Sequence, residues 1–336
     1  MSFISRTGAA VIAAVGAITL AGAAVSAADF EFELADEYPA NSLPAQTDAR
    51  FVELVREKTD GQIEITPHFG GALGYKSRDH YTAVRDGAIA LASTPFDKLV
   101  GFEPIYALQS LPFVTPTIEQ TEALFEVARP YYEAAFNRAN QTLLLGGPWT
   151  PQGIWAKKEI RSIDDLKGLK VRTYDVTGTR TLKDAGAAPI QLAWGDVVPA
   201  LSTNTIEGVL TSDEGGVSAS FWELGAKYFN FLGYTMGINA VTMNLDAYEA
   251  LPPELQRAVR EAAAEAEEEA WQVVRERVAH NRKIMDEHGA LFVDDVPQEV
   301  IDHLMHAGAP LIDEWKAEMG PDAEVIFAEF EKRMAN

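Results

Sequence analysis

The 336-residue chain contains no cysteine. This absence excludes disulfides, thiol catalysis, thiolate metal sites and lipid attachment at an N-terminal cysteine. Basic residues are also scarce, since 28 Lys and Arg stand against 50 Asp and Glu and give a net charge of −22. Such an acidic surface repels phosphate backbones, so we predict no nucleic-acid binding. Because it also repels small anions, an acidic ligand would need a local, well-placed cation.

Short motifs of common enzymes are missing as well. The sequence has no G-x-S-x-G, no H-E-x-x-H and no G-x-x-x-x-G-K-[ST]. His303 and His306 share a helical face, but they lack an obvious third ligand and are more typical of a surface pair than of a metal site. The glycine run at 70–74 does not have dinucleotide-binding spacing and indicates a tight turn. We therefore expect no cofactor, no metal and no enzymatic activity.

Residues 1–28 are typical of a cleaved signal peptide. A short basic n-region with Arg6 precedes an apolar stretch from Ala9 to Val25 and a run of small residues that suits cleavage near Ala27. An N-terminal membrane anchor is the alternative, because the apolar stretch has borderline length for a span. No later segment of the sequence is apolar and long enough to cross a bilayer. The pattern predicts a soluble periplasmic protein.

Two similar runs of strand, helix, strand, helix, strand occupy about 30–92 and 169–211. This order is typical of doubly wound sheets whose ligands bind at the carboxyl ends of strands. The sequence therefore predicts an α/β fold with two lobes, as in type II-like periplasmic binding proteins, with mixed, mainly parallel sheets. We expect lobe 1 at 29–150, lobe 2 at 151–239, and completion of lobe 1 by part of 240–336.

The distinctive helical pattern covers residues 253–288. Apolar residues recur on one face, while glutamates and arginines occupy the others. At 1.5 Å per residue the helix would span roughly 50 Å. This length exceeds one lobe, so we expect a spine helix across both lobes, with a coiled-coil segment as the alternative. A C-terminal helical segment should follow at 295–336.

Three successive strands of the second run deliver functional side chains to one sheet edge. Arg172 ends the strand at 169–171, Trp194 follows the next strand, and a polar, glycine-containing loop at 211–216 follows the third. A guanidinium can hold a carboxylate with two parallel hydrogen bonds. Together these residues indicate a pocket for a small organic acid, although each alone also fits an ordinary surface position. Trp149, near the expected lobe crossover, is a second possible wall, and core packing explains it equally well.

Four stretches of the sequence resemble the DctP-type substrate-binding proteins of tripartite ATP-independent periplasmic (TRAP) transporters. They occur in the family's order and at its spacing, and the resemblance covers nearly the whole chain after the signal peptide. The stretches are FGGALG at 69–74 with VRDGAI at 84–89, LQSLPF at 108–113, LKGLKVR at 166–172, and WGDVVPALSTNTIEG at 194–208.

The resemblance implies a periplasmic receptor that closes over a carboxylate ligand and delivers it to the small and large subunits of a membrane permease. It implies that Arg172 holds the ligand carboxylate. Further ligand-binding residues implied by the family positions are Trp194, Thr211, Ser212, Asp213, Glu37, Ser93 and Thr94, and our predicted set also includes Trp149 and Asn239.

The sequence also departs from the family pattern. Where many members have QENP, this chain has Val209-Leu210-Thr211-Ser212, so Thr211 replaces an asparagine that helps to hold the carboxylate. We therefore expect an organic monocarboxylate instead of a simple dicarboxylate. An aromatic or indole acid, a hydroxy, keto or sugar acid, and a zwitterion paired to Glu37 all remain open.

Two other functions remain as alternatives at this point. A receptor for an ABC importer or a sensor kinase would bind the same ligand but use another partner. A secreted hydrolase or lyase would need a general base, for which Glu37 or Asp213 are the available carboxylates.

Overall fold

The computed structural model of the protein describes residues 28–335, so the predicted signal peptide lies outside the described residues apart from its last position. The strands are β1 (Phe30–Asp36), β2 (Ile63–His68), β3 (Leu91–Pro95), β4 (Gln141–Pro148), β5 (Gln152–Ala156), β6 (Lys170–Thr173), β7 (Ala188–Gln191), β8 (Gly208–Ser212), β9 (Tyr228–Phe231), β10 (Ile238–Asn244) and β11 (Leu291–Val293). The α-helices are α1 (Leu43–Lys58), α2 (Ser77–Arg85), α3 (Ile118–Arg138), α4 (Val176–Asp184), α5 (Val197–Ser202), α6 (Asp213–Ser218), α7 (Leu245–Glu249), α8 (Pro253–Glu287), α9 (Gln298–Met319) and α10 (Pro321–Met334).

The strands form two sheets, one in each lobe. The five-stranded sheet of lobe 1 has the order β2-β1-β3-β10-β4, and the six-stranded sheet of lobe 2 has the order β11-β9-β5-β8-β6-β7. In lobe 1, β1 pairs in parallel with β2 and β3, while β10 runs antiparallel between β3 and β4. In lobe 2, β6 pairs in parallel with β7 and β8, while β5 runs antiparallel to β8 and β9. The predicted α/β fold with two lobes and mixed sheets is confirmed.

Each sheet is covered on both faces, as side-chain alternation along its central strands demonstrates. Ala240 of β10 packs with α3, whereas its neighbour Val241 packs with α1 and α8 on the opposite face. In lobe 2, Leu210 of β8 packs with α4 and α9, whereas Val209 packs with α5. Successive strand residues point to opposite faces, so these continuous apolar runs supply two cores per lobe.

One predicted strand is displaced. The strand expected at 88–92 starts three residues later, as β3, because the chain is still closing the end of α2. The Ala88 amide donates back to a carbonyl of α2 at 2.8 Å, and Gly87 turns the chain with a φ of +71°, which favours glycine. Ser93 and Thr94 consequently lie inside β3, whereas the family resemblance implies that they lie in the loop after this strand.

The predicted lobe boundary at 239 falls inside a strand. β10 begins at Ile238 and pairs with β3 and β4, so Asn239 belongs to the sheet of lobe 1. All seven residues of β10 are buried, and its apolar run carries no signal that distinguishes the two sheets. The segment 240–336 also contributes β11 to the edge of the lobe 2 sheet. It therefore completes both lobes and not only lobe 1.

Helix α8 spans 35 residues and contributes to the cores of both lobes. Leu255 and Val259, near its start, pack against the lobe 1 sheet, and Trp271 packs in the second core of that lobe. Met285, near its end, packs with Trp155 in lobe 2. The observed bounds agree with the helix expected at 253–288, and its length follows from the two cores that it connects.

A second helix also connects the lobes. Within the expected C-terminal helical segment, Val300 and Leu304 of α9 pack in lobe 2, whereas Trp315 packs in lobe 1. The Trp315 indole donates to the Pro104 carbonyl at 2.8 Å. Sequence reasoning predicted the helical segment but not this crossing. Among residues 28–335, no helix is long and apolar enough to span a membrane.

Replacing Gly153 in the central strand β5 with alanine should destabilise lobe 2. A Cβ at this position would lie 2.2 Å from the Asn230 carbonyl oxygen, which is backbone and cannot swing away. Overpacking of this kind costs about 1–3 kcal/mol. We expect urea denaturation of Gly153→Ala to show a loss in this range. The control Gly101→Ala, whose Cβ would meet no atom within 4 Å, should unfold like the original protein.

Candidate ligand-binding site

A small cavity, which we call the inner cavity, lies between the two lobes. Its volume is about 40 Å³. A buried water needs about 10–15 Å³ on this measure, so the space holds roughly three waters. It is lined by Tyr38, Pro95, Asp97 and Trp149 of lobe 1 and the crossover, by Gln152, Arg172, Tyr174, Trp194, Thr211 and Ser212 of lobe 2, and by Gly237.

The Arg172 side chain is the cation of this cavity, and it is buried with only 2% of its surface exposed. Its Nε donates to the Leu192 carbonyl at 3.1 Å, and its Nη1 makes a longer contact of 3.4 Å to the Leu210 carbonyl. The Leu192 carbonyl comes just after β7, and the Leu210 carbonyl lies in β8. These two strands flank β6. The neighbouring strands thus fix one side of the guanidinium and leave its other side toward the cavity.

No carboxylate within residues 28–335 forms an ion pair with Arg172 at 4.0 Å or less. Burial lowers the pKa of Arg172 below its usual value, although nearby Tyr38 and Asp97 oppose that shift. An arginine remains protonated in proteins, so its charge persists in the interior. A buried charge without an acidic partner is costly, and a ligand carboxylate would supply the missing partner.

Three aromatic rings form a wall around the guanidinium. The Trp194 ring centre lies 5.7 Å from the Arg172 guanidinium carbon and 5.7 Å from the ring of Tyr38. Tyr38 in turn contacts Trp149 edge to face at 4.8 Å. Tyr38 belongs to lobe 1 and Trp194 to lobe 2, so the rings meet across the cleft. The arrangement suits a flat ligand whose anionic end faces Arg172.

Polar groups face Arg172 across the cavity. The Gln152 Oε1 accepts a hydrogen bond from the Tyr174 hydroxyl at 2.6 Å, whereas its Nε2 has no hydrogen-bond partner within residues 28–335. Asp97 also lines the cavity and forms an ion pair with Lys98 at 2.5 Å. The cavity therefore offers a ligand a cation, an amide donor and an anionic acceptor.

A wider cavity, which we call the outer cavity, adjoins the inner one and has a volume of about 360 Å³. Contacts between lobes lie at its edge. Lys98 of lobe 1 donates to the Tyr174 carbonyl of lobe 2 at 2.6 Å, and Lys76 pairs with Asp196 at 3.7 Å. Glu37 lines this outer cavity and accepts from the amide that starts α2 at 2.8 Å. These contacts close the cleft over the inner cavity.

The predicted ligand-binding residues separate into two groups. Arg172, Trp194, Trp149, Thr211 and Ser212 line the inner cavity together. Glu37 lines only the outer cavity, while Asp213, Ser93, Thr94 and Asn239 line neither.

The residues outside the cavities have other partners. Asn239 accepts a hydrogen bond from the Trp149 indole at 2.8 Å and donates to Ser93 at 3.1 Å, so both residues lie behind a cavity wall. Thr94 lies 3.0 Å from the ring of buried His80. Neither cavity is lined by these side chains.

Asp213 lies in a buried polar cluster at the start of α6. It accepts hydrogen bonds from Thr150 in the crossover and from Asn281 of α8, and Asn281 also donates to Glu214 at 3.0 Å. Glu214 accepts from the Leu43 amide, the first residue of α1, at 3.1 Å. Burial raises the pKa of Asp213 to about 7. This cluster joins lobe 1, lobe 2 and the spine helix.

Sequence reasoning missed Tyr38, Asp97, Gln152 and Tyr174. Tyr174 follows Arg172 by two residues, and alternation along a strand could have placed both on one face. Gln152 pairs directly with Ser212 across β5 and β8, but this register cannot be read from one sequence. Tyr38 follows β1 in a loop and Asp97 lies in a short 3-10 helix after β3, and neither segment carries a motif. Within residues 28–335, no group of three His, Cys, Asp or Glu side chains is arranged to hold a metal ion.

Two lobes with mixed sheets, joined by long helices around a closed polar cavity, define the class of two-lobed solute-binding proteins. Comparison with known sequences identifies the family within that class. The sequence model of DctP, bacterial extracellular solute-binding protein family 7, matches residues 34–318. The chain belongs to this family, and its resemblance to TRAP solute-binding proteins is thereby confirmed.

Solved structures and relatives support the same assignment. The Bordetella pertussis extracytoplasmic solute receptor DctP6, which binds pyroglutamic acid, is 26% identical with a TM-score of 0.86, over 90% of this chain and 99% of that one. A marine metagenome TRAP solute-binding protein specific for pyroglutamate is 25% identical with a TM-score of 0.84, over 90% and 98%. The ectoine/5-hydroxyectoine-binding periplasmic protein of Ruegeria pomeroyi is 26% identical over 76% of this chain and 75% of its own length.

The raised pKa of Asp213 predicts a specific pH dependence of stability. Its folded-state pKa of about 7 exceeds the usual value of 3.8, so the folded protein holds a proton that the unfolded chain releases. The stabilisation of the folded state by this proton is complete below about pH 4 and is lost as pH rises through 7. The free energy of unfolding falls by at most about 1.4 kcal/mol per pH unit in this range. Asp213→Asn should reduce the decline in unfolding free energy between these values, as urea denaturation would show. Asp164→Asn, at a carboxylate that is 79% exposed, is the control, and an equal decline in both variants would contradict the assignment.

Proposed function

We propose that the protein is a TRAP-type solute receptor for a small cyclic monocarboxylate with a lactam group, such as pyroglutamate. The observation that carries this proposal is the buried guanidinium of Arg172, which has no acidic partner within residues 28–335. A planar guanidinium and a carboxylate form two parallel charge-assisted hydrogen bonds, which fix the direction of the ligand as well as its charge. Arg172 would thus anchor the acid head of the ligand.

The opposite side of the inner cavity supports a lactam ring. The unpaired Nε2 of Gln152 can donate to a ring carbonyl, and the Asp97 carboxylate can accept from a ring N–H. The rings of Trp194, Tyr38 and Trp149 would cover the flat faces of the ring. A site whose donors and acceptors are all matched by the ligand discriminates against analogues that lack one of them.

Similar proteins favour a ligand of this class over the other acids that remained open. Two of the similar solved structures contain or bind pyroglutamate, and the similar relative from Ruegeria pomeroyi is named for ectoine, another small ring carboxylate.

The contacts of the candidate site support reversible ligand binding and not catalysis. Of the two carboxylates considered as general bases, Glu37 lines only the outer cavity and Asp213 is enclosed by Thr150 and Asn281. The Ser212 hydroxyl at the cavity accepts a hydrogen bond from the Gly215 amide at 3.1 Å, as in a helix cap, and within residues 28–335 it contacts no basic side chain that could activate it. A receptor therefore explains the site better than a hydrolase or lyase.

The family assignment favours TRAP membrane subunits over an ABC importer or a sensor kinase as the partner. We infer that the protein acts in the periplasm after loss of residues 1–28, in keeping with the predicted signal peptide and with relatives named periplasmic. Neighbouring genes for one small and one large membrane subunit would support this partner, and neighbouring genes for an ATPase would oppose it.

Truncation of Arg172 should abolish tight binding. We expect Arg172→Ala to weaken pyroglutamate binding by about 2–5 kcal/mol in calorimetry, because the ligand carboxylate loses its buried cationic partner. The thermal transition without ligand should change little, because removal of a costly buried charge offsets the packing that is lost with the side chain. Arg161→Ala, at an exposed arginine of the same lobe, is the matched control and should bind normally. Tight binding by Arg172→Ala would refute the proposed clamp.

The role of Asp97 can be tested with a ligand pair that differs by one group. The lactone analogue of pyroglutamate carries a ring oxygen in place of the N–H. It should bind the original protein more weakly by about 1.5–3 kcal/mol, the range for a hydrogen bond to a charged group. Asp97→Asn should reduce this preference for the lactam. Equal affinity of the original protein for both compounds would exclude Asp97 as the acceptor.

A further inference from the structure

Lys98 is a largely buried cation at the boundary between the two cavities, and it is not among the predicted ligand-binding residues. It ends the short 3-10 helix after β3 in lobe 1, and only 13% of its side chain is exposed. Its ammonium group pairs with the carboxylate of Asp97, a residue of the inner cavity, at 2.5 Å. The same ammonium donates to the backbone carbonyl of Tyr174 in lobe 2 at 2.6 Å. One side chain thus connects the inner cavity wall of lobe 1 with the opposite lobe.

Tyr174 separates the inner cavity from the outer cavity, because it lines both of them. Its hydroxyl donates to Gln152 of the inner cavity at 2.6 Å, whereas its carbonyl accepts from Lys98, which lines the outer cavity. The centre of its ring lies 5.6 Å from the Lys98 Nζ and 5.8 Å from the Arg172 guanidinium carbon. Tyr174 is therefore held at its hydroxyl by lobe 2 and at its carbonyl by lobe 1.

The Lys98 bond also holds the end of the strand that carries Arg172. Tyr174 is the first residue after β6, and it follows Arg172 by two positions. A charged donor that binds a carbonyl at 2.6 Å, with most of its side chain removed from water, makes one of the stronger kinds of hydrogen bond in proteins. Lys98 therefore fixes this part of lobe 2 against lobe 1.

A second contact between the lobes at the outer cavity is weaker. Lys76 and Asp196 lie 3.7 Å apart, and 43% and 58% of their side chains are exposed. Exposed ion pairs contribute little, because water and salt screen the two charges. The geometry favours Lys98 over Lys76 as the residue that holds the lobes together at this edge of the cleft.

We propose that Lys98 is a positioning residue that latches the cleft, because its bond to the Tyr174 carbonyl holds lobe 2 against lobe 1 and closes the way from the inner cavity to the outer one. Breaking this bond would free Tyr174 on the side of the outer cavity and give a bound ligand a route of escape. The latch itself does not depend on the identity of the ligand. Only its effect on ligand release rests on the proposed function.

The latch can be tested without ligand by measuring the distance between the lobes. Since the chain contains no cysteine, cysteines introduced at exposed Ala134 of α3 and Lys183 of α4 would carry two spin labels at defined positions. Double electron–electron resonance would then give the population of ligand-free protein at the distance of the present structure. Lys98→Met keeps the apolar stem and removes the donor. It should shift the ratio of closed to open molecules about tenfold toward the open form, the effect of losing a hydrogen bond to a charged group.

Two further variants separate the latch from a general effect of charge. Lys98→Arg keeps a charged donor and should retain most of the closed population. Lys76→Met is the matched comparison, because it removes the same charge from the outer cavity but breaks only an exposed ion pair. It should shift the ratio by less than about threefold. Equal closed populations in the original protein and Lys98→Met, or equal shifts in Lys98→Met and Lys76→Met, would overturn the proposal.

The rate of ligand release gives a second measurement. In stopped-flow experiments with pyroglutamate, Lys98→Met should raise the dissociation rate about tenfold and change the association rate by less than about threefold, because the latch acts after the ligand has entered. A loss of affinity that comes entirely from slower association would identify Lys98 as an attractor of anions and contradict the latch. If the original protein does not bind pyroglutamate, the proposed ligand is wrong, and the spin-label populations still decide whether Lys98 latches the cleft.

Discussion

An arginine charge held in the interior without a carboxylate partner is the constraint on which the cleft depends. Within residues 28–335, Arg172 donates to two backbone carbonyls and lies near the rings of Tyr174 and Trp194. Such groups offset part of the cost of removing the charge from water, but not all of it. The protein as a whole carries a net charge of −22, so acidic ligands are repelled at long range. In the proposed function Arg172 supplies the local attraction, and the other residues that line the inner cavity select the shape of the ligand.

The side chains that face the cavity are each held by a partner behind them. Asn239 holds the Trp149 indole, Gln152 holds the Tyr174 hydroxyl, and Lys98 pairs with Asp97. A ligand then meets groups that are already oriented, and little side-chain entropy remains to be lost on binding.

The sequence reveals the parts of this site that depend on strand order. Arg172, Trp194, Thr211 and Ser212 were predicted because parallel strands bring their carboxyl ends to one edge. Ser93 was misplaced because closure of helix α2 continues through Ala88 and delays the strand, a three-residue effect that propensity does not resolve.

Contacts between residues that are distant along the chain could not be predicted from the sequence. Tyr38 and Asp97 were missed because they reach the cavity only when lobe 1 packs against lobe 2. The burial of Asp213 likewise follows from Asn281, which is 68 residues away. The two crossing helices have a consequence for the autonomy of the lobes. Since α8 places Leu255 in one lobe and Met285 in the other, neither sheet has a complete core when the chain is cut between them. The receptor has two lobes but should fold as one unit, so neither lobe should be stable as an independent domain.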